Sequence, residues 1–143
     1  VGVLQHMADP REGWRVLLTR LRPGGVMRLG MYAREGREEV EAARTFLRGA
    51  GIGEGSPAGL REARRAMTAF LRERPDGDRV LAHPDFYNLD TFRDLLLHPV
   101  EHAVSKSWIR EGAAALGVEF LGFEGEESLP LGGLHRFWVR KPA

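Results

Sequence analysis

The chain has 143 residues, 43% of them hydrophobic, with a formal net charge of +1 and no cysteine. That is enough apolar material for one domain with a core, and too little charge imbalance to point to a polyanion partner. It also excludes disulfides, thiolate metal sites and cysteine nucleophiles. No apolar run reaches the length of a membrane span and no signal-peptide pattern opens the chain, so a cytoplasmic protein without membrane or nucleic-acid partners is expected.

The opening residues up to His6 read as the end of a strand running into a polar loop. Asp9 is a good N-cap and Pro10 a good first helical residue, since proline has no N–H to leave unpaired there. Trp14, Leu17, Leu18 and Leu21 repeat at helical spacing and predict one apolar helix face. Pro23-Gly24-Gly25 stops that helix, with Gly24 free to take positive φ. Val26, Met27, Leu29 and Met31 predict a buried, parallel strand and complete a βαβ unit.

Residues 32–37 leave the strand as a loop, so Tyr32 either faces a pocket rim, because ligands of open α/β sheets sit beyond the carboxyl ends of the strands, or closes the sheet edge as a packing aromatic. Val40, Ala43, Leu47 and Ala50 predict a helix with an acidic start and a basic end. After a linker at 51–57, Leu60, Ala63, Met67, Phe70 and Leu71 predict another, stopped by Arg74-Pro75-Asp76-Gly77. Its Arg61, Arg64, Arg65 and Arg72 form a stripe that reads as a solvated face beside Glu62 and Glu73. Asp90 can cap a short helix with Phe92, Leu95 and Leu96 inward, ended by His98-Pro99. Ser105 caps the next, with Ile109, Ala113 and Leu116 on one face and Gly117 as its stop. Strands at 118–123 and 134–140 flank a turn-rich loop and close the chain, with Trp138 as a core or sheet-packing aromatic.

Motifs for hydrolytic chemistry are weak. No serine sits in a Gly-x-Ser-x-Gly elbow. His98-Pro99-Val100-Glu101-His102 matches His-x-x-Glu-His, but Pro99 breaks the continuous helix that such a zinc site needs, and no third ligand follows. No metal is expected.

The ordered set Gly2-Val-Leu-Gln-His-Met-Ala-Asp-Pro10, a helix with a Trp and a Leu pair, and Leu21-Arg-Pro-Gly-Gly25 before an apolar strand resembles the fourth-to-fifth-strand segment of class I S-adenosylmethionine-dependent methyltransferases. That segment commonly reads Val-Leu-His-His, then Asp-Pro, then Leu-Lys/Arg-Pro-Gly-Gly; here Gln5 stands in place of the first His. The later chain is similar to the methyltransferase type 12 group. The resemblance implies an α/β chain, the C-terminal part (strands four to seven) of a Rossmann-like sheet. Residues 1–33 and 105–143 would form its sheet core and 37–104 a mostly helical inserted lid. The glycine-rich loop and ribose-binding acid of the family have no counterpart here, so this chain would supply part of a larger enzyme.

The resemblance also implies S-adenosyl-L-methionine as cofactor, with Gly2, Val3, Leu4, Gln5 and His6 on its side of the site. Tyr32, Phe86, Tyr87, Asn88, His98, Glu101 and His102 would then face the methyl acceptor, whose identity is unknown. His6, His98 and His102 are the available general bases, and nothing in the sequence selects among them. The competing reading is a non-catalytic interaction domain or degenerate remnant that self-associates through an uncovered fourth-strand edge.

Overall fold

A four-stranded mixed sheet and six helices make up the regular structure of the computed structural model, which describes residues 2–52, 56–98, 100–125 and 133–143. The chain is α/β and divides into two compact units. One comprises the residues up to Glu35 together with Val100–Ala143; the other is Gly36–Pro99.

The first unit is built on β1 (Val26–Ala33). On one side β1 pairs in parallel with the two-residue β2 (Ala103–Val104), and on the other it pairs antiparallel with β4 (Leu134–Arg140). β3 (Glu119–Phe123) pairs antiparallel with β4, giving the order β2-β1-β4-β3. The expected strands at 26–31, 118–123 and 134–140 therefore share one sheet.

Helices α1 (Pro10–Arg20) and α6 (Lys106–Ala115) contribute Trp14, Leu18, Ile109 and Ala113 to a core with Leu29, Met31, Phe137 and Val139. Burial of each large side chain there contributes roughly 1.5–3 kcal/mol. Trp14 meets Phe137 edge to face with ring centroids 5.4 Å apart. A Cβ at Gly112 would stand 3.0 Å from the Trp14 ring, so this α6 glycine lets the indole in. Both expected caps form: Asp9 accepts from the Arg11 amide at 2.8 Å, and Ser105 Oγ from the Trp108 amide at 3.2 Å.

Four expectations for this unit change. The described residues before Asp9 contain no strand; Leu4–His6 form a 3-10 turn, and β2 occupies the place beside β1. Leu17 is exposed rather than part of the buried stripe; of its other members, Trp14 and Leu18 are buried and Leu21 packs against the same core. Trp138 lies on the opposite sheet face from Phe137 and Val139 and is 38% exposed.

On that opposite face Glu124 accepts from Arg28 Nε, Arg28 Nη2 and Trp138 Nε1, each at 2.7 Å. Residues 100–104, expected in the inserted segment, belong with the sheet through the β1–β2 pairing. The end of α1 is held by an unforeseen partner. Lys141 Nζ donates to the Leu18 and Leu21 carbonyls at 2.9 Å each, adding to the 3.3 Å bond that the Leu21 amide gives Leu18 at this helix end.

The second unit packs α2 (Glu38–Ala50), α3 (Pro57–Arg72), α4 (Gly77–Leu81) and α5 (Leu89–Leu97) around Val40, Leu47, Met67, Leu71, Phe86 and Phe92. Ala50 is exposed, whereas Arg44 is buried and donates to the His98 carbonyl at 3.1 Å. Asn88, rather than Asp90, caps α5. The arginine stripe on α3 is largely exposed, as expected, with Arg64 donating to the Tyr87 carbonyl.

Gly77 opens α4 where a Cβ would fall onto the Leu71 carbonyl. Gly77→Ala must displace backbone there and is expected to lower stability by about 1–3 kcal/mol in denaturant titrations. The first unit carries a pH signature. Hydrogen bonding from Arg28, and then from Trp138, holds the Glu124 carboxyl below its ordinary pKa. A folded-state pKa below the unfolded one stabilises above the unfolded value, and that contribution is lost as pH falls through the folded one. Glu124→Gln is thus expected to melt earlier than the parent at neutral pH and to converge with it in acid.

Candidate functional site

The sequence-selected residues of the first unit gather at the carboxyl end of β1. The 3-10 turn forms through His6 N–H to the Val3 carbonyl and Met7 N–H to the Leu4 carbonyl, both at 3.1 Å. Leu4 anchors the turn in the core, where Gly13 of α1 presents no side chain: a Cβ there would lie 2.9 Å from Leu4 Cδ2 and collide with Met7. The incoming strand segment then bonds to the turn on its other side. His102 N–H donates to the Gln5 carbonyl at 2.8 Å, and His6 Nδ1 is 3.1 Å from the Val100 carbonyl. One step further on, Ala103 pairs with Tyr32 in the β1–β2 register.

This arrangement unites residues far apart in sequence. Gln5, His6, Tyr32, Glu101 and His102 lie around the end of one parallel strand pair, and the His6 and Tyr32 rings meet edge to face at 6.1 Å. A carbonyl only accepts, so His6 Nδ1 must donate to Val100, and in the neutral ring the lone pair then belongs to Nε2. Gln5 is 1% exposed and its Oε1 has no hydrogen-bond partner; His102 Nε2 is likewise buried without one. Buried polar atoms are normally paired, so two such atoms on residues joined by a backbone hydrogen bond stand out.

The remaining expected residues have other surroundings. Gly2 and Val3 precede the turn, with Val3 well exposed. Phe86 is buried in the core of the helical unit, edge to face with Phe92 at 5.4 Å. Tyr87 is 63% exposed, and Asn88 Oδ1 accepts from the Asp90 amide at 2.9 Å as the α5 cap. His98 follows the last residue of α5, and residues 98 and 100–102 lie outside any helix, whereas the His-x-x-Glu-His spacing requires a continuous one. Among the described residues no group of three or more His, Cys, Asp or Glu is placed to hold a metal.

One pairing has no counterpart in the sequence reading: Glu35 lies 3.2 Å from His135 Nε2 near the same strand end. Neither residue belongs to a recognisable motif, so only the fold reveals it.

The geometry fixes an expected tautomer. Nitrogen chemical shifts of the neutral ring in a labelled chain should place the proton of His6 on Nδ1 rather than on Nε2. The opposite assignment would break the Val100 contact.

No family model matches the chain. Over 129 residues it is 32% identical to an uncharacterized protein of Synechococcus sp., an alignment that takes in 86% of this chain and 30% of that relative. The chain therefore spans less than a third of the length of the relative it matches. No helix among the described residues is long and apolar enough to cross a membrane.

Proposed function

We propose that the chain is the acceptor-side part of an S-adenosylmethionine-dependent methyltransferase, acting within a longer polypeptide. One observation carries the reading. The last strand, β4, inserts antiparallel between β1 and β3, and β1 follows an Asp-Pro-capped helix and a Pro-Gly-Gly turn. The resembling family implies that sheet ending in that sequence order. The same resemblance alone would be weaker, since a fold hosts many functions and only its site argues for one.

The residues at the β1 end suit the cofactor in charge. Gly2, Val3, Leu4 and Gln5 are uncharged, so no fixed positive side chain among them opposes a sulfonium. The rings of His6 and Tyr32 offer π-faces that attract a cation. When bound, S-adenosylmethionine supplies an already activated methyl group, which leaves the protein chiefly the task of alignment. Gln5 and His6 are held rigidly for that purpose, because the 3-10 turn is bonded within itself and to the 100–102 segment. His6 and His102 are the histidines of the expected set in this unit, and a neutral imidazole of either can take a proton from an acceptor.

The second reading keeps a sheet edge in another place: among the described residues no strand precedes Asp9, and on that side of β1 only Tyr32 and Ala33 are paired, with Ala103 and Val104.

Calorimetric titration of S-adenosylhomocysteine tests the proposal. The product of the full open reading frame is expected to bind in the micromolar range, and the 143-residue chain alone to bind far more weakly. Absence of binding by the full product would sink the methyl-transfer reading.

A further inference from the structure

We infer that Glu35 and His135 form a proton-accepting pair at the carboxyl end of β1, in which His135 Nδ1 takes the proton of a hydroxyl ligand. On the methyl-transfer reading, on which this role rests, the methyl acceptor is then an alcohol or a phenol. Both residues are mounted on the β1–β4 ladder. His135 is the second residue of β4 and stands opposite Met31, one step from Tyr32 and Leu134. Glu35 follows β1 by two positions, and the backbone before it is bonded on both sides. The Ala33 amide donates to the Gly133 carbonyl at 2.8 Å, and the Arg34 amide to the Val104 carbonyl at 3.0 Å. Across this frame Glu35 Oε2 lies 3.2 Å from His135 Nε2. The imidazole also packs against Phe123, with ring centroids 5.8 Å apart, and its side chain is 10% exposed.

The chemistry of the pair follows from its partners. A carboxylate only accepts, so in the neutral ring the proton belongs to Nε2 and the lone pair to Nδ1. Nδ1 has no hydrogen-bond partner among the described residues, so a ligand O–H can donate to it. Once the ring gains a proton, the Glu35 carboxylate faces a cation, and such a charge-assisted bond is roughly twice as strong as a neutral one. The imidazolium is thereby stabilised where it forms, as a general base requires. His102 is less suited, because its Nε2 is sealed from solvent. The pair also selects the acceptor. A neutral amine attacks with a lone pair it already holds, and a carboxylate arrives ionised, whereas a hydroxyl oxygen gains nucleophilicity as its proton leaves. In that step the hydroxyl proton passes to Nδ1 and the oxygen lone pair forms the bond to the methyl carbon. The carbon–sulfur bond breaks with its electron pair left on the sulfur of S-adenosylhomocysteine.

Anisole carries a methyl group in place of the phenol proton, so these two probes test for the donor itself. They would be titrated into the isotope-labelled full product while the His135 imidazole signals, assigned by their loss in His135→Asn, are followed. The neutral ring is expected to carry its proton on Nε2. Phenol should shift the Nδ1 signal saturably, and anisole should leave it in place. Glu35 is 66% exposed, and exposed pairs contribute little to stability, so variants at this position should fold. Glu35→Ala removes the bond that sets the tautomer and should weaken the phenol response about fivefold, the worth of one hydrogen bond. Glu35→Gln keeps an acceptor oxygen for Nε2 and should restore the neutral tautomer.

A proton on Nδ1 of the neutral ring, an equal response to anisole, or an unchanged phenol response in Glu35→Ala would overturn the inference. So would a His135 signal that phenol leaves in place, since Glu35 and His135 would then be a surface ion pair only. Calorimetry with S-adenosylhomocysteine on the same samples separates the two readings. A phenol response without cofactor binding keeps the proton-accepting pair and removes the methyl acceptor as its ligand. Cofactor binding without a phenol response keeps the methyltransferase and removes the pair from its chemistry.

Discussion

The antiparallel ladder between β1 and β4, running from Val26 opposite Arg140 to Tyr32 opposite Leu134, is the constraint on which the first unit depends. It sets the alternation that turns Leu29, Met31, Phe137 and Val139 toward α1 and α6, and the opposite alternation that leaves Arg28 and Trp138 facing outward. A slip of one residue would exchange those two sets, burying an arginine and exposing a phenylalanine. The ladder also fixes where the polypeptide tail goes. Lys141 follows β4 directly, its amide bonded to the Gly25 carbonyl at 2.9 Å and its ammonium to the end of α1. The Pro-Gly-Gly turn is thus held from the far end of the chain, which shows why a local motif occurs at a place of long-range contact.

Much of the regular structure is legible because its signals are local. Asp9-Pro10 and Ser105 start helices through side-chain acceptors one turn away, and the apolar spacing of 40–47 and 60–71 leaves one solution for each helix face. What the sequence hides is decided at a distance. Leu4–His6 carries the residue types of a strand end, yet it closes as a 3-10 turn because Leu4 finds a core site that Gly13 leaves open. β2 is two residues long, too short for any periodicity, and exists because β1 offers it a partner. Arg44 sits at the helical positions between Val40 and Leu47, where an apolar residue is expected. Its burial is stabilised by the His98 carbonyl, a neighbour that local reading cannot supply.

The same division runs through the candidate site. Individual residues were recognisable by type and by family position, but their grouping was not. Phe86 and Asn88 are engaged in packing and capping the helical unit. Tyr87 is exposed and lends its carbonyl to Arg64. Gln5, His6, Tyr32, Glu101 and His102 converge only because the segment from Val100 threads between the 3-10 turn and β1. The two histidines of that group are also differently committed: His6 spends Nδ1 on a carbonyl, while His102 keeps a buried Nε2 unmet.

That difference bears on how such a site would work. A histidine whose tautomer is fixed by a carbonyl presents the same nitrogen every time, a property of positioning groups as much as of bases. A buried polar atom without a partner is instead a cost that folding tolerates only when other interactions exceed it. In the first unit Gln5 Oε1, Arg11 Nε, Trp14 Nε1 and His102 Nε2 are such atoms, so the cost is shared between the strand end and the α1 packing rather than gathered at one place. The indole that carries one of them is also the side chain that meets Phe137 and that Gly112 admits, so the apolar contacts beneath the β1–β4 ladder have to exceed the cost of the polar atom they bury.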